Sequence, residues 1–277
     1  MLAKKHLCLL STATFMIGLA VFSNGASAAC TPKHSFATIE KGKLTVAVSI
    51  YAPYSGLSST GEVEGVDGDI VKKIAAMECL EVKGTSVSGA AAVESVASNR
   101  ADITIGDWYR TAARAKVVGL SAPIYADQSA IYSKAGVATV GDLVGKQVGT
   151  VQGFLYVEDL RKLVGSGLHL YPNIVNLHQD LEAGRIDAAV DGYSTGVVAQ
   201  QNGKLQGVQI KVPPSDPRMP SMDPGQSNFP YTKDNAALGT ALEEDIAALR
   251  ADGSIAAILK AHGLNPSAAD PGPPKLL

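Results

Sequence analysis

Aromatic residues are scarce in this chain of 277, at 5% with a single tryptophan, while glycine reaches 28. That composition argues against a Trp-rich sugar-binding surface and for small-residue packing with many turns. Neither charge is in surplus, with 24 Lys and Arg against 26 Asp and Glu. A nucleic-acid protein needs a basic excess to neutralise phosphates, and no block of like charges forms a polyanion-binding tail. Neither a Gly-x-x-x-x-Gly-Lys phosphate loop nor a Gly-x-Ser-x-Gly elbow occurs. His34, His169, His178 and His262 are scattered without Cys-x-x-Cys or His-x-x-x-His spacing, so they read as surface or loop histidines and no metal or cofactor is expected. Internal repeats are lacking too. Disorder is excluded by 46% hydrophobic against 18% charged residues, arranged in ordered blocks.

The one long apolar run is at the start. Lys4 and Lys5 precede a mostly apolar stretch over residues 7–22, and Ala26-Ser27-Ala28 offers small residues for cleavage. Residues 1–29 therefore read as a targeting peptide, too short in its apolar part for a membrane span, and the chain is expected to be periplasmic. Losing Lys4 and Lys5 with no acid takes the formal charge from −2 to −4. Cys8 leaves as well. The remaining pair, Cys30 and Cys79, favours a disulfide in an oxidising compartment. Such a bond closes a loop of about fifty residues, a chain-entropy effect on the order of 3–4 kcal/mol. Two free thiols, or an acylated Cys30, are the alternatives; Ser27 stands where lipoprotein signals usually carry a large aliphatic residue.

Along the mature chain, Lys43–Ser49 (KLTVAVS) reads as a strand. Residues 69–79 (DIVKKIAAMEC) put Ile70, Ile74 and Met77 on one helical face. A strand at 80–85, a helix at 90–98 and a strand at 102–105 follow. This β-α-β-α-β order indicates a mainly parallel sheet covered by helices. The pattern recurs as strand 147–151, helices 156–164 and 176–183, strand 186–190 and helix 193–201. Residues 213–224 carry five prolines and must be irregular. Helices at 235–251 and 254–261 close the fold, and the Pro- and Ala-rich end, 267–277, reads as a flexible tail. Two α/β units without a long linker imply two lobes with a cleft between them, where small molecules bind.

Residues 106–114 (GDWYRTAAR) are the most informative stretch. They leave the end of a strand, where ligands of open α/β sheets gather. Asp107, Trp108, Tyr109, Arg110 and Arg114 crowd into nine residues, and on a helical turn the two arginines share a face. An arginine fork grips a carboxylate and a carboxylate grips an ammonium, so the stretch suits a zwitterion. The residue-level alternative is a solvated basic face with Trp108 in the core. Residues 149–153 (GTVQG) make a strand-to-helix turn able to hold an anion.

The order of motifs resembles the family-3 solute-binding proteins that serve polar amino-acid ABC importers. The resemblance spans roughly 41–264. It runs through KGKLTVAV (41–48), YAPY (51–54), GVDGDIV (65–71), NRADITI (99–105) and RAKVVGLSAPIY (114–125). LVGKQVG (143–149), AGRIDAA (183–189) and LRADGSI (249–255) complete it. It implies an α/β, two-lobed periplasmic-binding-protein (type II) fold with a ligand cleft. Residues 30–126 plus 223–266 would form the first lobe, and 127–222 the second with its hinges. Those hinges fall near 127–129 and within 213–224.

By the same resemblance Arg114 grips an α-carboxylate, and Tyr51, with Tyr54 in the same motif, covers the ligand. Gly106, Asp107 and Tyr109 line the pocket beside Trp108. Phe154 and Leu155 stand where relatives offer a Thr hydroxyl and helix amides; here the hydroxyl is missing. Asp191 precedes by one the position that holds the ammonium, where this chain has Gly192, so Asp107 or Asp191 takes that role. Val48 replaces the acid common in binders of cationic amino acids, and Gly89 replaces a second aromatic lid. The implied function is a monomeric, non-enzymatic binding component that delivers an amino acid or related zwitterion to an inner-membrane permease. A dehydratase-like enzyme on the same scaffold, or a sensor, is the alternative.

Overall fold

Alternation along Lys43–Ser49 sets up the first lobe. Leu44, Val46 and Val48 enter one apolar cluster with Ile70, Ile74, Leu242 and Ile246, while Ala47 joins Val96, Ala101 and Val118 in another. A strand buried on both faces needs helices on both, and the chain supplies Gly65–Met77 and Gly89–Ala97 as crossovers. Lys43–Ser49 pairs in parallel with Glu81–Val87 and with Ile103–Ile105. Pro230–Tyr231 adds antiparallel to Ile103–Ile105, and Gly119–Leu120 pairs antiparallel with Pro230–Tyr231 at the edge.

These contacts come from a computed structural model that describes residues 1–2 and 30–277. But for Met1 and Leu2, the targeting segment lies outside the described residues. Among the described residues no helix is long and apolar enough to cross a membrane. Cys30 and Cys79 are both disulfide-bonded, which occupies the sulfur that acylation of Cys30 would require.

The second lobe repeats the plan with a five-stranded sheet in the order Leu168–Tyr171, Val148–Val151, Ala188–Gly192, Ser129–Ser133, Gln209–Lys211. The first three run parallel, and Ser129–Ser133 runs against both of its neighbours, so Gln209–Lys211 again points with the first three. Ile131, Val148 and Val190 pack with Leu160 on one face. Ala130, Tyr132 and Ala189 pack with Leu177 and Leu181 on the other. Between the lobes Gly225–Asn228 pairs antiparallel with Ala126–Asp127 on one side and Trp108–Tyr109 on the other. This pairing begins one residue past the Pro-rich stretch, whose Met219 and Met222 pack into the second lobe.

Three differences from the sequence reading have physical causes. The first helix begins at Gly65, four residues before the expected start. Its N-terminal amides are satisfied by tertiary contact, Val66 donating to the Pro53 carbonyl (3.1 Å) and Asp67 to that of Tyr54 (2.8 Å). A Cβ on Gly65 would lie 2.5 Å from the Tyr54 oxygen, so only glycine allows this approach. The strand read at 186–190 is Ala188–Gly192; Asp187 instead accepts the Gln147 amide at 2.8 Å.

The third difference is the tail, which composition marks as flexible and the structure shows tied down. Leu277 exchanges backbone hydrogen bonds with Arg110 (3.0 Å) and Ala112 (2.9 Å). Gln226, 2% exposed, donates to the carbonyls of Pro271 and Pro273 and accepts from the Lys275 amide, each at 2.8 Å. A buried amide with no partner costs about 1–3 kcal/mol, which is reason enough for the tail to stay. We expect the Lys275 and Leu277 amides to be protected from hydrogen exchange and to lose that protection in Gln226→Ala. Free exchange of both in the unmodified chain would show that the tail does not dock.

Candidate functional site

The strand Ile103–Ile105 ends at a sharp corner made by Gly106 (φ +144) and Asp107 (φ +53). Glycine adopts such a conformation readily and aspartate less so. Asp67, in the first turn of Gly65–Met77, holds the corner: one carboxylate oxygen accepts the amides of Gly106 (3.0 Å) and Asp107 (2.9 Å). Its other oxygen accepts the Tyr125 hydroxyl at 2.6 Å. Burial raises the Asp67 pKa to about 6 even though all three hydrogen bonds act in the other direction.

Beyond the corner Trp108–Tyr109 is a short strand, and Thr111 caps the helix Ala112–Val117 by accepting the Arg114 amide at 3.2 Å. The cap sets Arg110 outside the helix, so the two arginines do not share a face. Arg110 reaches away to the carbonyls of Leu120 and Ser121. Arg114 turns back over Trp108, its guanidinium carbon 4.7 Å from the ring centroid, and donates to the Tyr109 carbonyl at 2.8 Å. Desolvation lowers its pKa to about 10, leaving it charged at neutral pH.

Seven of the nine expected ligand residues line one cavity: Tyr51, Asp107, Trp108, Tyr109, Arg114, Phe154 and Leu155, with Gly106 and Tyr156. Its volume is about 20 Å³, room for roughly one water. An amino acid is larger, so admitting one requires the lobes or rings to move. Tyr54 and Asp191 stand behind the wall. Tyr54 is 1% exposed and stacks between Tyr51 (5.9 Å) and Tyr125 (5.3 Å). Asp191, fully buried, accepts the Tyr51 hydroxyl at 2.6 Å and the Gly192 amide at 2.9 Å.

Asp107 is therefore the carboxyl that faces the cavity. Burial, then Asp127, then Asp67 push its pKa far up. Asp127 lies against it, accepts the Ser194 hydroxyl at 3.0 Å and has its own pKa raised to about 6 by burial. Oδ1 of Asp107 and Oδ2 of Asp127 are buried without a hydrogen-bond donor among the described residues. Two such carboxyls in contact hold a proton between them unless a cation arrives.

Sequence reading missed the roles of Asp67, Asp127 and Tyr156. The sequence marks Asp67 only as part of a motif and Asp127 only as an expected hinge position. Tyr156, read as the first residue of a helix, precedes Val157–Val164 and bonds Ser129 through its hydroxyl at 2.8 Å. Elsewhere, His34 meets Glu78 (2.7 Å) and Glu244 (3.0 Å), and Lys33 meets Asp245 (3.4 Å). These partners, about 44 and 210 residues apart, have no spacing that sequence could show. Glu244 and then Glu78 raise the His34 pKa. Lys33 thus supplies positive charge to that acidic cluster.

Known proteins share this architecture. The chain is 28% identical over 243 residues to the ABC transporter arginine-binding protein 1 of Escherichia coli, covering 85% of this chain and 92% of the relative. It is 28% identical over 218 residues to the lysine/arginine/ornithine-binding periplasmic protein of the same organism, covering 74% and 80%. An amino acid ABC transporter substrate-binding protein from Streptococcus pneumoniae, solved with L-arginine, superposes with a TM-score of 0.70 at 24% identity, over 83% of this chain and 96% of that one. An ancestral arginine-binding protein bound to glutamine gives 0.71 at 23%, over 80% and 98%. Residues 44–265 match the profile of the bacterial extracellular solute-binding proteins, family 3, and the chain belongs to that family.

Proposed function

We propose that the protein binds an amino acid or related zwitterion in the periplasm and delivers it to an ABC permease of the inner membrane. The observation that carries this reading is one cavity walled by an arginine, a carboxyl and an aromatic ring. Arg114 offers guanidinium donors to an α-carboxylate, Asp107 accepts an α-ammonium, and Tyr51 covers the ligand. The relatives support it, being named for arginine, for lysine, arginine and ornithine, or for histidine. The dehydratase-like alternative finds no support among them, for each is named as a binding protein.

Closure follows from the same residues. Tyr51 belongs to the first lobe and Asp191 to the second, so their hydrogen bond at 2.6 Å forms only when the lobes meet. A ligand that pairs with Arg114 and Asp107 and touches Phe154 from the second lobe favours the closed form by contacts absent from the open one. The closed form is what the permease would recognise, and the protein would act as a monomer.

Arg114→Ala should weaken binding by about 2–5 kcal/mol, the usual result of truncating one partner of a buried charge pair. That is roughly 30-fold to several-thousand-fold by titration calorimetry; a change below about threefold removes Arg114 from the site. Asp107→Asn should likewise weaken an ammonium-bearing ligand, and unchanged affinity would shift that role to Asp191.

Acidity gives a separate check. A ligand ammonium displaces the proton held by Asp107 and Asp127, so binding releases a proton and lower pH opposes it. Affinity should fall by up to about tenfold per pH unit between pH 7.5 and 5.5, the slope for one linked proton. Calorimetry in buffers of different ionisation enthalpy reads the proton directly. Affinity that rises on acidification would mean the bound state keeps the proton.

A further inference from the structure

Beside the small cavity lies a cleft of about 550 Å³, within the size range of small-molecule sites. Phe154 lines both spaces. Tyr51 lines the small one, while its chain neighbours Ile50 and Ala52 line the large one. The two are thus successive compartments between the lobes, divided by one ring. The wider cleft is walled by Ile50 and Val87 from the first lobe and by Val151, Ile174 and Val175 from the second. None of its lining residues carries a charge.

Ile50 is 44% and Val175 58% exposed, from opposite lobes. Apolar surface facing water inside a cleft is stabilised by whatever apolar group covers it. Gly89 lets the first lobe approach the Phe154 turn closely, because a Cβ there would already lie 3.1 Å from the Gln152 carbonyl oxygen and 3.5 Å from the Phe154 ring.

We infer that the ligand's side chain passes Phe154 into this cleft, and that the ligand is an amino acid with an uncharged, apolar side chain, aliphatic or aromatic. The inference rests on the zwitterion site proposed above and adds the substrate class. A guanidinium or ammonium placed here would find no carboxylate among the lining residues, and a desolvated cation without a partner is disfavoured. The exposed aliphatic groups reward an apolar side chain. This sets the protein apart from relatives named for cationic amino acids.

The test is calorimetry on the full chain, freed of copurified ligand by unfolding and refolding, with leucine, phenylalanine, arginine and lysine. Leucine or phenylalanine should bind at least tenfold more tightly than arginine and lysine. Ser86→Asp, a change at an exposed lining position, should narrow that gap at least fivefold by placing a carboxylate in the cleft. Arginine or lysine binding as tightly as the apolar pair, with the affinity lost in Arg114→Ala, would overturn the cleft assignment and leave the zwitterion site standing. A gap that Ser86→Asp does not narrow would take the side chain out of this cleft. Absence of binding by leucine and phenylalanine would overturn the apolar-ligand assignment, while another zwitterion whose binding is lost in Arg114→Ala would leave the proposed site standing.

Discussion

The position of residues 106 and 107 decides whether a binding cavity exists, and one buried carboxylate decides that position. Asp67 is 1% exposed and accepts two backbone amides and a tyrosine hydroxyl. Left-handed backbone costs a non-glycine residue such as Asp107 roughly 1–2 kcal/mol. Hydrogen bonds to a charged acceptor return about 1.5–3 kcal/mol each, so two of them outweigh the strain. Burial still lifts the Asp67 pKa to about 6. The corner is held by a charge that the interior resists, and this resistance is tolerated because every oxygen has a donor.

From Asp67 the constraint spreads through touching groups. The Tyr125 hydroxyl bonds it, Tyr125 stacks on Tyr54, Tyr54 on Tyr51, and the Tyr51 hydroxyl reaches Asp191 in the second lobe. Interplanar angles of 7° and 17° mark parallel stacking along this column, while Phe154 meets Tyr51 edge-on at 88°. Both geometries suit the aromatic quadrupole. The scarce aromatics of this chain are therefore concentrated where the lobes meet, and Phe154 packs against the main apolar clusters of both.

Much of this could be read in the sequence, and the exceptions share a cause. Lys43–Ser49, Tyr193–Gln201 and Ser254–Ala261 have the bounds the sequence predicts; in the first and last, local pattern and tertiary burial agree. Seven expected ligand residues, read from the chemistry of 106–114 and from motif order, converge on one cavity. What escaped depends on partners far away in sequence. Carbonyls of the 53–54 turn start the first helix early, and Gln226 fixes a tail whose composition promises nothing. Asp127 lies beside Asp107 only in the fold, about twenty residues away along the chain. Tyr54 and Asp191 belong to the site as support: one is the middle of the ring column, the other the far end of the interlobe bond.

The cleft divides its tasks by dielectric character. Fixed charges gather at the 20 Å³ cavity, and the adjoining space has none. In the proposed site Arg114 and Asp107 would address the carboxylate and ammonium that all amino acids share, so their contribution would be nearly the same for each and would not tell one from another. Discrimination is a difference of affinities and must arise where candidate ligands differ. Under the proposed assignment that place is past Phe154, where apolar area would supply the attraction and the lack of any counter-charge among the lining residues the rejection. On that assignment the residues that would set the choice of ligand are small or aliphatic: Gly89, Ile50, Val87, Ile174 and Val175.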